Sequence, residues 1–286
     1  MCARRSASLT ESAPLGAYWL CVRGVDDAGA LLGPAEPDWP VYELVTQVGD
    51  PDGRVQWVRD DDARVRLAAG GQVDIDRLRG MATFTMPMSP TAAELVHPYL
   101  ASVAAVAARW RGHESFHAGA VEAGGGAWVV LGGKGAGKSS LLATLAAAGH
   151  PVLSDDVAIV DSHLAVAAGP RLIDLRDDAA AALRVGTPMG KVGLRERWRI
   201  GLAPVPARLP LRGFVEVAWG EEESIAPVPV PTRVARLVDQ RVIHRLPPRE
   251  PAFLLELAQL PMLQFRRPRD WDAMAAASER LVEALG

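Results

Sequence analysis

The sequence predicts an α/β protein: a mixed sheet flanked by helices, preceded by a small β-rich unit. Three observations predict it. From Tyr18 to Met86, short apolar runs of strand length are separated by turn clusters. From Pro90 onward, helical and strand patterns alternate, as expected of helices laid on a sheet. One strand-to-helix junction in that second part is glycine-rich and carries a lysine. The expected organisation is a flexible N-terminus at 1–17, a β-rich unit at 18–88 and a larger domain at 89–286.

The chain has 286 residues, 49% hydrophobic and 23% charged, with a net charge of −3. That excludes a disordered or fibrous chain, and the absence of a basic excess argues against nucleic acid as a partner. Cys2 and Cys21 supply neither a disulfide framework nor a cysteine zinc site. The first residues, MCARRSASLTESAPLG, lack an apolar stretch behind the arginines, and no run is long enough to span a bilayer. The expectation is a cytoplasmic protein without a membrane partner. Of the 31 basic residues only three are lysines, Lys134, Lys138 and Lys191.

Taken in order, the strand-like segments are YWLCVRGV, VYELVTQV, RVQWVRD, ARVRLAA, QVDID and MATFTM, which read as a small antiparallel unit. The run Asp60-Asp61-Asp62 reads as a solvated turn, because nothing near it completes a ligand set. Pro87 to Pro90 marks a boundary. Ser89-Pro90 can cap and start a helix, and Thr91-x-x-Glu94 has the form of a capping box. Pro98 should kink or restart that helix, which then runs to Trp110 and stops near Gly112. Ser115 to Val121 reads as a strand entering a hairpin with Ala127 to Leu131 through Gly124-Gly125-Gly126. Toward the C-terminus, Phe253 to Ala258 and Trp271 to Leu285 read as helices, the last capped by Asp270, and Pro261 to Phe265 as a strand.

The chemistry concentrates after Ala127 to Leu131. Gly132-Gly133-Lys134-Gly135-Ala136-Gly137-Lys138-Ser139 satisfies G-x-x-x-x-G-K-[ST], the P-loop, and Ser140 continues into a helix ended by Gly149. Glycines let successive N–H groups turn inward as an anion nest, and the helix N-terminus adds free donors. Lys138 brings a compact charge to the β- and γ-phosphates of ATP, and Ser139 offers a hydroxyl to Mg²⁺. Lys134 lies in the variable part of the loop, where it either touches phosphate or faces solvent. The next strand, Pro151-Val152-Leu153, leads to Asp155-Asp156. In a parallel sheet this pair reaches the P-loop edge, where one carboxylate can hold Mg²⁺ and the other can deprotonate an acceptor hydroxyl. Whether His117 reaches that edge depends on register.

These three segments, FHAGAV, GGKGAGKSSL and GHPVLSDDVAIV, resemble the core of HPr kinase/phosphorylase. They resemble still more the broader group of HPr-kinase-like proteins, related in fold to ATP-dependent phosphoenolpyruvate carboxykinase. The resemblance spans Phe116 to Val160. It implies that His117 is an active-site histidine, Lys138 the phosphate-binding lysine, Ser139 a Mg²⁺ ligand, Asp156 the base that accepts the serine proton and Asp155 its acidic neighbour. The family's Glu-x-Arg-Gly signature is matched only by Asp174-Leu175-Arg176-Asp177. Asp174 would there replace the Mg²⁺-binding Glu, Arg176 keeps the Arg, and Asp177 stands where the Gly belongs. The basic stretch Lys191 to Arg199 is either a loop reaching phosphate or a solvated face.

The resemblance implies an ATP- and Mg²⁺-dependent kinase acting on a serine or threonine hydroxyl of a protein or peptide, including peptide precursors of natural products. The N-terminal part matches no motif of the family's N-terminal domain, which argues against HPr itself as the acceptor. The family is often oligomeric, so a homo-oligomer is expected by analogy. Two alternatives stay open: a small-molecule hydroxyl kinase of the same fold, and an ATP-binding regulatory module without transfer.

Overall fold

A computed structural model describes residues 13–51, 56–67, 70–192 and 195–286. Most of the segment expected to be flexible, residues 1–12, lies outside the described residues, as do Asp52-Gly53, Ala69 and the Gly193-Leu194 part of the basic stretch. The end of that first segment, Leu15–Ala17, is a strand.

The first sheet has eight strands, and the antiparallel expectation holds for five of its seven pairings. From Met81–Met86 outward, Gln72–Asp76, Asp62–Arg66 and Trp57–Val58 form an antiparallel meander. On the other side, Val41–Val48 runs parallel to both Met81–Met86 and Leu20–Arg23. Parallel neighbours need a crossover, and two long connections provide it. One contains the 3₁₀ turn Asp26–Leu31, and the other is the meander itself. Along Met81–Met86 burial alternates, so Ala82, Phe84 and Met86 face inward.

They face the helix Leu100–Trp110, buried almost all round. Its upper side shares a core with Val73 and Phe84 of the first sheet, and the same cluster contains Ile159 and Ala167 of the second. A helix apolar on every face belongs between two layers, which is where this one sits. The Thr91–Glu94 capping box forms, so Thr91 rather than Ser89 is the N-cap. The helical path breaks at His97, before Pro98, and resumes at Leu100.

The second sheet carries the P-loop. The hairpin Gly119–Ala123 and Gly126–Leu131 forms, but Glu114–Phe116 is a separate strand, so the single strand expected from Ser115 to Val121 is broken at His117. The strand after the P-loop helix, Val152–Ser154, pairs antiparallel with Gly119–Ala123 and does not touch Gly126–Leu131. Two reversals restore the direction, so it still ends at the P-loop edge. On the other side, Arg208–Trp219 runs parallel to Gly126–Leu131, and Met262–Arg267 runs parallel to Arg208–Trp219. Leu131, Trp219 and Arg267 therefore end their strands at one edge.

The P-loop helix Lys138–Ala147 buries Leu141, Leu142 and Leu145 completely. Each such side chain stabilises the fold by roughly 1.5–3 kcal/mol. The helix lies so close to the sheet that a Cβ on Gly119 would clash with Leu142 Cδ1. Met274–Leu285 packs alongside it; Asp270 accepts the Asp272 N–H in a turn and caps no helix. A third, three-stranded sheet, Leu172–Leu175, Arg195–Gly201 and Thr187–Val192, forms a wall beside the P-loop. The described parts of the basic stretch, Lys191-Val192 and Arg195 to Arg199, are thus paired strands. Among the described residues no helix is long and apolar enough to cross a membrane.

Candidate active site

The P-loop begins where Gly126–Leu131 ends. Gly137 precedes the helix in the left-handed region at φ +85°, a conformation that costs glycine little. A Cβ added at Gly133 or Gly135 would meet nothing within 4 Å, so the loop faces open space. Lys138 is buried and its Nζ donates to the Gly132 carbonyl at 2.6 Å. Burial depresses its pKa, opposed by the carboxylates of Asp155 and Asp156. The lysine is therefore held within the loop, facing the two aspartates.

Asp155 and Asp156 follow Val152–Ser154 into this space. Ser139 Oγ donates to Asp155 Oδ1 at 3.1 Å, joining the two residues expected to share a cation. Asp156 has φ +74°, and the Val157 N–H donates to the Asp155 carbonyl at 3.0 Å. A bond from residue i+2 back to i, around a centre at positive φ, is a γ-turn of the strained kind. Such strain concentrates at functional sites. Here it swings the Asp156 carboxylate to 3.4 Å from His117 Nδ1. His117 is fixed from behind, its N–H donating to the Gln240 carbonyl at 2.7 Å. Burial lowers its pKa, against the pull of Asp156.

Burial, followed by the charge of Asp156, raises Asp155 to about 7; the Ser139 hydrogen bond and Lys138 oppose this. A carboxyl group raised on folding stabilises the protein fully below its unfolded value near 3.8, and that contribution is lost as pH rises through about 7. In chelated protein the melting temperature should therefore fall from about pH 5 to about pH 8, and Asp155→Asn should flatten that slope. A variant with an unchanged slope would refute this account of Asp155.

Asp174 lines the same cavity as the pair, but its carboxylate is already engaged. It is buried, and Arg199 Nε and Nη2 donate to its two carboxylate oxygens at 2.8 Å each, with His97 Nε2 3.7 Å away. Asp174 and Arg199 lie directly opposite across antiparallel strands, the arrangement that favours such a pair. Both oxygens of Asp174, the residue expected to bind Mg²⁺, thus accept from an arginine. Among the described residues, no cluster of three or more His, Cys, Asp and Glu gathers as a metal site. Ser139 and Asp155 could hold Mg²⁺, which binds through one or two protein ligands and completes its shell with phosphate and water.

Two cavities meet at this point. One of about 540 Å³ runs along the P-loop from Lys138 and Asp155 to Trp219 and Trp271, with Arg176, Arg195 and Arg197 on the opposite wall. Strand alternation puts Arg195 and Arg197 on the same face as Arg199. Lys134, exposed at the rim, borders this cavity and a second of about 570 Å³. The second is open, and its walls include Arg66 and Leu67 of the β-rich unit and the segment Asp239–His244. His117 and Asp156 line both. The β-rich unit also reaches the site from behind, where the Tyr18 hydroxyl donates to the Asp155 carbonyl at 3.4 Å.

Sequence reasoning missed Trp219 and Trp271 as site residues, and left the basic stretch that holds Arg195 and Arg197 open between phosphate and solvent. Trp219 and the two arginines carry a readable signal. Trp219 ends an apolar run, FVEVAW, that becomes a strand parallel to the P-loop strand. The pattern Arg195-Glu196-Arg197-Trp198-Arg199 has the two-residue period of a strand with one basic face.

No protein-family model and no curated protein matches this chain. Among solved structures it is similar to the HPr(Ser) kinase/phosphatase from Coxiella burnetii, with 11% identity over 60% of this chain and 99% of that one, at a TM-score of 0.28. At that score the likeness carries no argument about fold or activity.

Proposed function

We propose that the chain is an ATP-dependent kinase that transfers the γ-phosphoryl group to a serine or threonine hydroxyl of a peptide or protein. The observation that carries this reading is the position of Asp156, a carboxylate on the shared wall of two cavities. One has the P-loop and a basic wall, which suit a triphosphate. The other is bordered by Arg66 and Leu67 of the β-rich layer, a wall along which an extended chain could lie.

In this reading the nucleotide's phosphates lie on the P-loop, with Lys138 at the β- and γ-oxygens. Arg195 and Arg197 offset the remaining charge. Ser139 and Asp155 would hold Mg²⁺, which neutralises charge on the phosphates when bound. The acceptor hydroxyl enters from the second cavity. Asp156 takes its proton while His117 keeps the carboxylate oriented. The oxygen attacks the γ-phosphorus in line, the bond to the β–γ bridging oxygen breaks and ADP leaves. Positioning and charge neutralisation are the main work of such a site.

The test is incubation of the full chain with γ-labelled ATP and a diverse set of serine-containing peptides, with mass spectrometry of the products. Label on peptide serine or threonine is expected. Label on small hydroxy compounds alone would point to a small-molecule kinase. Saturable ATP binding with no labelled acceptor would point to a regulatory module.

A further inference from the structure

Arg267 is the largest fully buried side chain of the described residues, at 1% exposure. It ends the strand Met262–Arg267 beneath the P-loop, and its Nη2 donates to the Gly137 carbonyl at 3.1 Å. Its Nε and Nη1 are buried without a hydrogen-bond partner. The guanidinium carbon lies 4.6 Å from the ring centre of Trp219 and 5.4 Å from that of Phe265. Among the described residues no carboxylate forms an ion pair with it. Burial alone moves its pKa, down to about 10, so it remains a cation at neutral pH.

An unpaired buried charge is costly, and folded proteins rarely keep one without a compensating partner. Aromatic faces offset part of the cost. What lies above Arg267 is the N-terminus of the P-loop helix. Gly137 is the contact: a Cβ there would stand 2.7 Å from Nη2 and 2.9 Å from the Trp219 ring. Trp219 braces the same loop, its Nε1 donating to the Gly135 carbonyl at 2.9 Å. The Gly137 carbonyl also accepts the Leu141 N–H at 3.0 Å. Because a peptide unit is planar and trans, fixing that carbonyl fixes the Lys138 N–H in the opposite direction, out of the helix end.

We infer that Arg267 is a built-in countercharge of the P-loop: a buried cation whose missing negative partner is the phosphate chain of the nucleotide, and a positioning residue that, with Trp219, sets the loop through the Gly137 and Gly135 carbonyls. This rests on the nucleotide reading above and adds a consequence that reading lacks. The resting protein carries an uncompensated charge that ligand binding relieves, so removing the charge affects stability and affinity in opposite directions.

The test compares the full-length wild type with Arg267→Met and Arg267→Gln. Melting temperatures are measured without ligand, and affinities by calorimetry for ATP with Mg²⁺ and for inorganic tripolyphosphate. Arg267→Met should melt at or above the wild-type temperature and bind both probes roughly tenfold or more weakly, a loss of about 1.4 kcal/mol. An equal loss for tripolyphosphate assigns the effect to phosphate rather than to the base. Arg267→Lys, which keeps the charge, should recover part of the affinity. Binding of both probes within about twofold of wild type would overturn the assignment, and so would a lower melting temperature for Arg267→Met that Arg267→Gln shares. If Arg267→Met does not fold, Arg267→Gln is judged on affinity alone. A wild type that binds neither probe sinks the nucleotide reading itself, a different outcome from a wild type and variant that bind equally.

Discussion

In the proposed kinase, Lys138→Ala should lower phosphoryl transfer by at least about 10³-fold, the order by which a single cation on a transferring phosphoryl group changes its rate. The expectation follows from placement. Lys138 opens the helix directly after Gly137, and its stem curls back over the loop so that Nζ rests on the Gly132 carbonyl. It faces Asp155 and Asp156, whose charges work against the desolvation that lowers its pKa. A flexible stem with a compact ammonium can exchange that carbonyl for a phosphate oxygen. A guanidinium is wider and planar, so Lys138→Arg should not restore activity. Initial rates with labelled ATP, measured beside melting curves of each variant, separate loss of chemistry from loss of fold. A Lys138→Ala enzyme within about tenfold of wild type would place the transferred phosphate elsewhere.

This lysine was legible in the sequence because the P-loop is local. Its strand, its glycines and its helix are contiguous, and each residue constrains the next. The two aspartates were legible for a related reason: one short strand follows the helix, and its end is topologically bound to return to the same edge. That argument reached the right edge by a wrong path, since Gly119–Ala123 intervenes between the two strands. His117 lay beyond local reasoning. Its place depends on a break between two strands that pair with different partners, and on the long-range bond from its N–H to Gln240.

What stayed hidden has the same cause. Asp174 looked like a ligand because Asp174-Leu175-Arg176-Asp177 partly matches a signature whose Glu binds Mg²⁺ in the family the sequence resembles. Only the register Asp174↔Arg199 shows that its charge is already matched. Arg267 is 129 positions from Lys138 in number but beneath the same loop, because two parallel pairings carry its strand to the P-loop edge. The boundary near 88 marks where the sheets change. It does not separate two cores, because the helix Leu100–Trp110 packs against both layers. A composition shift reveals a change of architecture; shared burial needs coordinates.

Asp156→Asn should lower turnover by about 10²–10⁴-fold, the usual contribution of a positioned base, while nucleotide affinity stays near that of wild type. The substitution suits the question. Asn is nearly isosteric and tolerates the left-handed conformation that Asp156 adopts at φ +74°, so the γ-turn should survive. The amide lacks the negative charge needed to take the acceptor's proton. Asp155 is untouched, and with it the hydrogen bond from Ser139, so the dependence on Mg²⁺ concentration should not move. Asp155→Asn should do the reverse, raising the Mg²⁺ concentration needed for half-maximal rate. The two variants together assign one carboxylate to the proton and the other to the cation. If Asp156→Asn transfers phosphate at the wild-type rate, the carboxylate between the cavities is not the base. If it loses nucleotide binding and turnover together, the γ-turn is holding the P-loop side of the site rather than serving the acceptor.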